Sequence, residues 1–205
     1  DQMKKNGFSE KKMHYHKIWV VDEGKRFLSK VNNYINNDLL AIVVNFVDQL
    51  AHRRSESDVL KEMVPDESGY RKAVREWYDK SWIKNVLREL SSKGFNVVMT
   101  SDHGSVMVSE SVSVAADKSS SDGVRYKHGT NINTSEKKAL DIRDLDKYKL
   151  PELGIRTNYL IAKDNFYFVY PNEERKYRRM LEKSFQHGGI SIEEMLIPIL
   201  TMRPK

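Results

Sequence analysis

Phe95-Asn96-Val97-Val98-Met99-Thr100-Ser101-Asp102-His103-Gly104 is the stretch whose reading decides the fold class. It opens with a short apolar, β-branched run, which reads as a buried strand. A carboxylate, an imidazole and a glycine follow. In an open α/β sheet, ligands bind just outside the carboxyl ends of the strands. Asp102 and His103 stand at such an end. A carboxylate oxygen and a neutral imidazole nitrogen are both good ligands for a zinc-like divalent cation. Adjacent strand residues point to opposite faces, so both reach one ion only where the strand has given way to a loop. Gly104 eases that break. Alone, Asp-His-Gly is a weak signal, and a turn with a capping Asp and a surface His is its commoner reading.

Upstream, residues 39–47, Leu39-Leu40-Ala41-Ile42-Val43-Val44-Asn45-Phe46-Val47, form the most apolar run in the chain. The run reads as a central parallel strand buried on both faces. It delivers Asp48 at its carboxyl end, with His52 four residues on. On a helical turn these two share a face, a metal-chelating spacing that is also that of an ordinary Asp–His pair near a helix start. Residues 53–69 are charged and turn-rich and read as an exposed loop. Residues 70–92 read as one long helix with a buried stripe from Ala73 through Trp77 and Trp82 to Leu90. Gly94 closes it. Strand, helix, strand makes a parallel crossover unit.

The flanking segments are less informative. His14-Tyr15-His16 leads a strand running into Ile18-Trp19-Val20-Val21. Its two imidazoles share a strand face and can chelate a metal, although solvent-facing alternation is the commoner reading. Residues 25–37 have helical spacing. Residues 106–115 alternate as strand or hairpin, and 116–123, with Ser119-Ser120-Ser121, suggest a mobile loop. Arg125-Tyr126-Lys127-His128 is a basic stretch: Arg125, Lys127 and His128 can bind substrate phosphate, or form a solvated basic loop. Residues 157–162 and 166–170 suggest a hairpin about Lys163-Asp164-Asn165. A basic helix is expected over 173–185. Ser191 with Glu194 makes a capping box. Pro198 should end that short helix, and 197–202 suit a final strand.

Composition narrows the chemistry. The chain has 205 residues, no cysteine and a net charge of +6, with a mean hydropathy of −0.65. Without thiols there is no disulfide framework, and any metal must be held by His and carboxylates. A reducing cytoplasm suits such a chain. No apolar run reaches membrane-spanning length. The positive charge permits anionic partners, phosphate esters and nucleic acid among them. No aromatic-studded basic motif supports a nucleic-acid-binding domain.

Asp48-x-x-x-His52, Asp102-His103-Gly104 and His187-Gly188-Gly189 matter as a set. In this order they resemble the metal-ligand pattern of the alkaline phosphatase superfamily. The block from Phe185-Gln186-His187-Gly188-Gly189 through Ser191-Ile192-Glu193-Glu194 to Pro198 resembles the PglZ branch. The run from Leu39 onward is similar to the output domain of PorX-type response regulators, found in bacteria with type IX secretion. The resemblance implies an α/β fold with a mostly parallel central sheet flanked by helices. The chain would then be the C-terminal portion of such a domain, with 104–165 as a hairpin- and loop-rich insertion near the site. Two zinc ions are implied. Asp48, His52 and His187 match the ligands of one, and Asp102 and His103 match two ligands of the other. A Ser or Thr nucleophile is expected upstream of residue 1, because Ser9 and Ser29 have no buried strand leading into them. The implied activity is a zinc-dependent phosphoester hydrolase, a phosphodiesterase whose substrates extend to oligonucleotides. It would be cytoplasmic, coupled to a receiver domain, and able to form a homodimer. A non-catalytic metal-binding signalling module is the alternative.

Overall fold

The computed structural model describes residues 5–7, 11–117, 120–154 and 156–205. Ser9 and Ser119 lie outside the described residues. In chain order the elements are β1 (Met13–Ile18), α1 (Val21–Ser29), a 3-10 turn (Val31–Tyr34), β2 (Leu39–Val44), α2 (Phe46–Glu56), α3 (Asp58–Met63), α4 (Glu67–Lys80) and α5 (Ile83–Ser92). Then come β3 (Val97–Thr100), β4 (Val106–Met107), β5 (Glu110–Ser113), β6 (Tyr126–Gly129), β7 (Ala139–Ile142) and α6 (Leu145–Tyr148). The chain ends with β8 (Asn158–Ala162), β9 (Phe166–Val169), a 3-10 turn (Pro171–Glu173), α7 (Glu174–Leu181), β10 (Phe185–Gln186), α8 (Ile192–Met195) and β11 (Ile199–Met202). It divides into two compact units: residues 1–50, 68–99 and 199–205, and residues 51–67 with 100–198.

In the first unit β1 and β2 pair in parallel, Met13 opposite Leu39 through Ile18 opposite Val44, and β11 pairs with β3. Alternation along β2 sends Leu40, Ile42 and Val44 into a core with Ile18, Phe27, Val31, Trp82, Val86 and Leu90. Leu39 and Val43, on the other face, are exposed, so β2 is not buried on both faces as the sequence led one to expect. His14 and His16 lie on the inward face of β1. The His14 ring stacks on Tyr34 with centroids 4.3 Å apart, and His16 tilts over Phe27 at 4.9 Å. They serve as aromatic packing, which makes both earlier readings of the pair incomplete.

The expected helix over 70–92 is two helices. The chain turns at Ser81 and Trp82, and α5 starts afresh at Ile83. The turn inserts the Trp82 indole against Gly24 of α1, where a Cβ would lie 1.9 Å from the ring. Residues 53–69 are also largely helical. Ser57 caps α3 by accepting a hydrogen bond from Leu60 N, and the first helix breaker is Pro65. The charge of this stretch reflects an exposed helical face.

The second unit has two cores. Val112, Val114, Ile132, Ala139, Leu160, Ala162 and Phe168 form one, and Val106, Val108, Tyr167, Val169 and Leu181 the other. Its largest sheet is antiparallel, with β8 between β6 and β7. The strand-like runs over 157–162 and 166–170 do not form a hairpin: β8 pairs with β6 and β7, and β9 pairs in parallel with β5. The turn between them, with Asp164 at φ 38°, hands the chain from one sheet to the other. Residues 106–115 likewise split between two pairings, β4 with β10 and β5 with β9. The basic helix is shorter than 173–185, since α7 ends at Leu181 and β10 follows.

Candidate metal centre

Three segments of the second unit bring imidazoles into contact, His187 touching both His52 and His103. β4 and β10 are only two residues long each, but their antiparallel register sets Val106 opposite Gln186. Extending that register backward from Val106 and forward from Gln186 brings the Asp102-His103-Gly104 loop beside His187-Gly188-Gly189. The His103 and His187 rings stack with centroids 4.0 Å apart and an interplanar angle of 18°. The third imidazole, His52, comes from α2. Two residues later Arg54 is 4% exposed and donates to the carbonyls of Lys183 (2.6 Å), Pro65 (2.9 Å) and Val64. Its guanidinium also sits over the Phe185 ring. Arg54 therefore ties α2 to the start of β10. The His52 Nε2 lies 3.3 Å from the His187 Nε2.

That separation bears on what the rings can hold. Two nitrogens in hydrogen-bonding contact need one proton between them, or a cation bound by both lone pairs. With zinc–nitrogen bonds of about 2.0–2.1 Å, the edge of a tetrahedral site is about 3.3–3.4 Å. His52 and His187 are spaced for such an edge. Asp102 Oδ1 lies 3.8 Å from His103 Nε2, a somewhat wider pair of donors. The His103 Nδ1 is 2.9 Å from the Gly104 carbonyl oxygen. An oxygen of that kind can only accept, so Nδ1 is the donor, and in the neutral ring Nε2 is the atom left to ligate. The Asp102 side chain is 90% exposed, and its Oδ1 accepts from the His103 backbone N–H at 3.1 Å. The donor set is imidazole and carboxylate without thiolate, which suits a divalent cation.

Asp48 stands one turn before His52 on α2, at the expected i, i+4 spacing. The sequence-expected residues Asp102, His103, His187 and His52 thus include three imidazoles that the second unit brings together. Two of the residues expected to bind substrate phosphate are committed elsewhere. Arg125 is 0% exposed, and its guanidinium is used up by the Glu194 carboxylate and by the Asp164 and Phe166 carbonyls. Lys127 is 2% exposed and donates to Ser121 O at 3.1 Å and Tyr170 Oη at 2.9 Å. Burial and full partnering remove both from a role in binding substrate phosphate. The His128 ring neighbours those of Tyr126 and Tyr159, at centroid distances of 6.2 and 5.8 Å.

The expected capping box is present and does more than cap. Ser191 Oγ accepts from Glu194 N, while the Glu194 carboxylate accepts from the N–H groups of Ser191 (3.0 Å) and Gly189 (2.9 Å). Burial alone would raise the Glu194 carboxyl. The Arg125 fork and these two N–H groups outweigh it and hold the group below the usual carboxylate range. Arg54 and Glu194 are the residues that sequence reasoning undervalued. A charged side chain carries no sign in the sequence that it will be buried.

The class of protein is now defined. The chain belongs to the PglZ family: the BREX system PglZ alkaline phosphatase-like domain matches residues 2–202. No curated protein matches it. Among solved structures, its fold is that of the phosphonoacetate hydrolase of Sinorhizobium meliloti 1021 in complex with phosphonoformate, with a TM-score of 0.51 at 13% identity. The likeness covers 87% of this chain and 48% of that one, so the chain spans about half the length of the relative. The fold is therefore α/β and alkaline-phosphatase-like. Among the described residues, no helix is long and apolar enough to cross a membrane.

Proposed function

We propose that this chain carries the metal-binding part of a zinc-dependent phosphoester hydrolase, acting on phosphodiesters in preference to monoesters. In this reading Asp48, His52 and His187 hold one zinc, and Asp102 and His103 contribute to a second. The observation that carries it is the meeting of His52, His103 and His187 from three distant segments, with the first and last 3.3 Å apart. Membership of an alkaline phosphatase-like family supports it further. If bound there, zinc would supply charge neutralisation and Lewis-acid stabilisation at a phosphoester. The chain's own residues do the preparatory work. The Gly104 carbonyl fixes the His103 tautomer, and Arg54 anchors the helix that bears His52. The Ser or Thr nucleophile is supplied from outside these residues. Ser29 belongs to α1 and donates to the Arg26 carbonyl. In this reading the chain belongs to the output domain of a cytoplasmic response regulator that also carries a receiver domain, as the resemblance to PorX-type proteins suggests, and the protein can be a homodimer.

The test compares a chromogenic phosphodiester with its monoester on zinc-loaded full-length protein, with and without chelator. Chelator-sensitive cleavage that favours the diester is expected. A clear monoester preference would refute the substrate class, and full activity in chelator would refute the metal. Firm zinc binding without turnover would favour the alternative, a non-catalytic module that uses the same site for protein contacts.

A further inference from the structure

The two loops that carry His103 and His187 are not joined by their own side chains alone. Both are fastened to α8. On one side the Gly104 N–H donates to the Glu194 carbonyl at 3.0 Å, and a Cβ at Gly104 would lie 1.9 Å from the Glu193 carbonyl oxygen. Only glycine permits that approach. On the other side Glu194 Oε1 accepts from the Gly189 N–H, two residues after His187. A Cβ at Gly189 would meet the Arg125 guanidinium at 2.3 Å. Arg125 then fixes the Glu194 carboxylate itself. Its Nε donates to Oε1 at 2.8 Å, and its Nη2 donates to Oε2 and to the Asp164 carbonyl. The whole arrangement is buried, with Arg125 at 0% and Glu194 at 4% exposure. Replacing such a pair by apolar residues is often neutral for stability, so stability alone is weak grounds for a buried ion pair here. Its location at the junction of the two histidine loops supplies another.

We propose that Arg125 and Glu194 are positioning residues of the metal centre: through Gly189 and Gly104, the buried pair sets how His187 and His103 face each other. The inference rests on the metal-binding reading above, and the experiment separates the two. Zinc affinity is measured by competition with a chromogenic chelator, and cobalt(II) absorption reports ligand geometry. The proteins are the 205-residue chain and its Glu194→Gln, Arg125→Lys and Gly104→Ala variants, at a temperature where circular dichroism shows each to be folded. Residues that orient ligands typically change metal affinity by about 10–100-fold. Each variant should weaken zinc by about tenfold or more and alter the cobalt spectrum. A role confined to stability would instead lower the apo-protein's melting temperature and leave both readouts unchanged. Folded variants with wild-type zinc affinity and spectrum therefore overturn the positioning role while leaving the metal site standing. A wild-type chain that takes up no zinc overturns both. Should Glu194→Gln not fold, Arg125→Lys decides the matter, because it keeps a cation beside Glu194 and removes the two-pronged contact that fixes its carboxylate.

Discussion

His187→Ala is the most informative single change. The His187 ring meets both other imidazoles, His52 edge-on through the 3.3 Å nitrogen contact and His103 by stacking. Removing it takes away one of the three protein ligands proposed for the first zinc. That should weaken binding by more than the upper end of the outer-shell range, about 100-fold. The consequence for stability can be worked out. With free zinc at about 100 times the wild-type Kd, binding stabilises the folded state by about 2.7 kcal/mol. For a chain of 205 residues, each kcal/mol moves the melting temperature by about 2–4 °C. Zinc should therefore raise the wild-type transition by about 5–11 °C. At the same zinc concentration the variant sits near its own Kd and gains only about 0.4 kcal/mol, or about 1–2 °C. Thermal melts with zinc and with chelator measure both shifts. His14→Ala and His16→Ala serve as controls, since those rings pack on Tyr34 and Phe27. They should lower the chelator baseline and keep the zinc shift. A full wild-type shift in His187→Ala would refute the ligand assignment, as would its loss in His14→Ala.

Other expectations follow from particular contacts. Asp102→Asn removes an anion whose side chain is 90% exposed, so the chelator-treated melting temperature should barely move. Turnover of the full-length protein should nevertheless fall by orders of magnitude, because the second cation is then poorly held; near-normal turnover would favour the non-catalytic reading. Gly24→Ala should destabilise, although helix propensity alone would make alanine about 1 kcal/mol better. Its Cβ would lie 1.9 Å from the buried Trp82 ring, where ordinary contact begins at 3.4 Å. Overpacking of that kind costs about 1–3 kcal/mol, and a raised melting temperature would show that the indole can step aside. Glu194, with its carboxyl lowered in the fold, contributes stability that is fully present above its unfolded value of 4.5. That contribution is lost as the pH falls through the lower folded value. Acid unfolding of chelator-treated Glu194→Gln should accordingly show a weaker pH dependence below the ordinary carboxylate range than wild type, and identical acid limbs would count against the ion pair.

The parts of the site that were legible in the sequence are those that local chemistry dictates. The 39–47 run and the Phe95 stretch show their strands by apolar, β-branched composition, although β2 stops at Val44 and Asp48 lies in the first turn of α2. Asp48 and His52 are related by helical periodicity, and α2 bears that spacing. The capping box at Ser191 and Glu194 is likewise a local device, and it formed. The illegible parts depend on contacts between distant residues. β4 and β10 have two residues each and therefore no readable period, yet their register sets His103 beside His187. The sequence points Arg54 and Arg125 to the surface, because charge usually stays in water. Each is buried instead, with carbonyls or a carboxylate around its guanidinium. The break at Ser81 and Trp82 was hidden for a related reason. Nothing in that stretch breaks a helix, and the turn forms because it puts a large indole over the one residue of α1 that has no side chain.

The same logic explains why the glycines at 104 and 189 belong to the site as much as the histidines do. A metal centre assembled from two loops and a helix needs its ligands held before the ion arrives, or binding must order them at its own expense. Loops achieve this only by packing backbone against backbone. The Gly104 N–H reaches the α8 carbonyl, and the Gly189 N–H reaches the Glu194 carboxylate, in places where any Cβ would collide. The sequence spacing of His103-Gly104 and His187-Gly188-Gly189 therefore joins each imidazole to the means of holding it. Chains that keep the histidines and change these glycines should retain the chemistry of the ligands and lose the geometry that makes them one site.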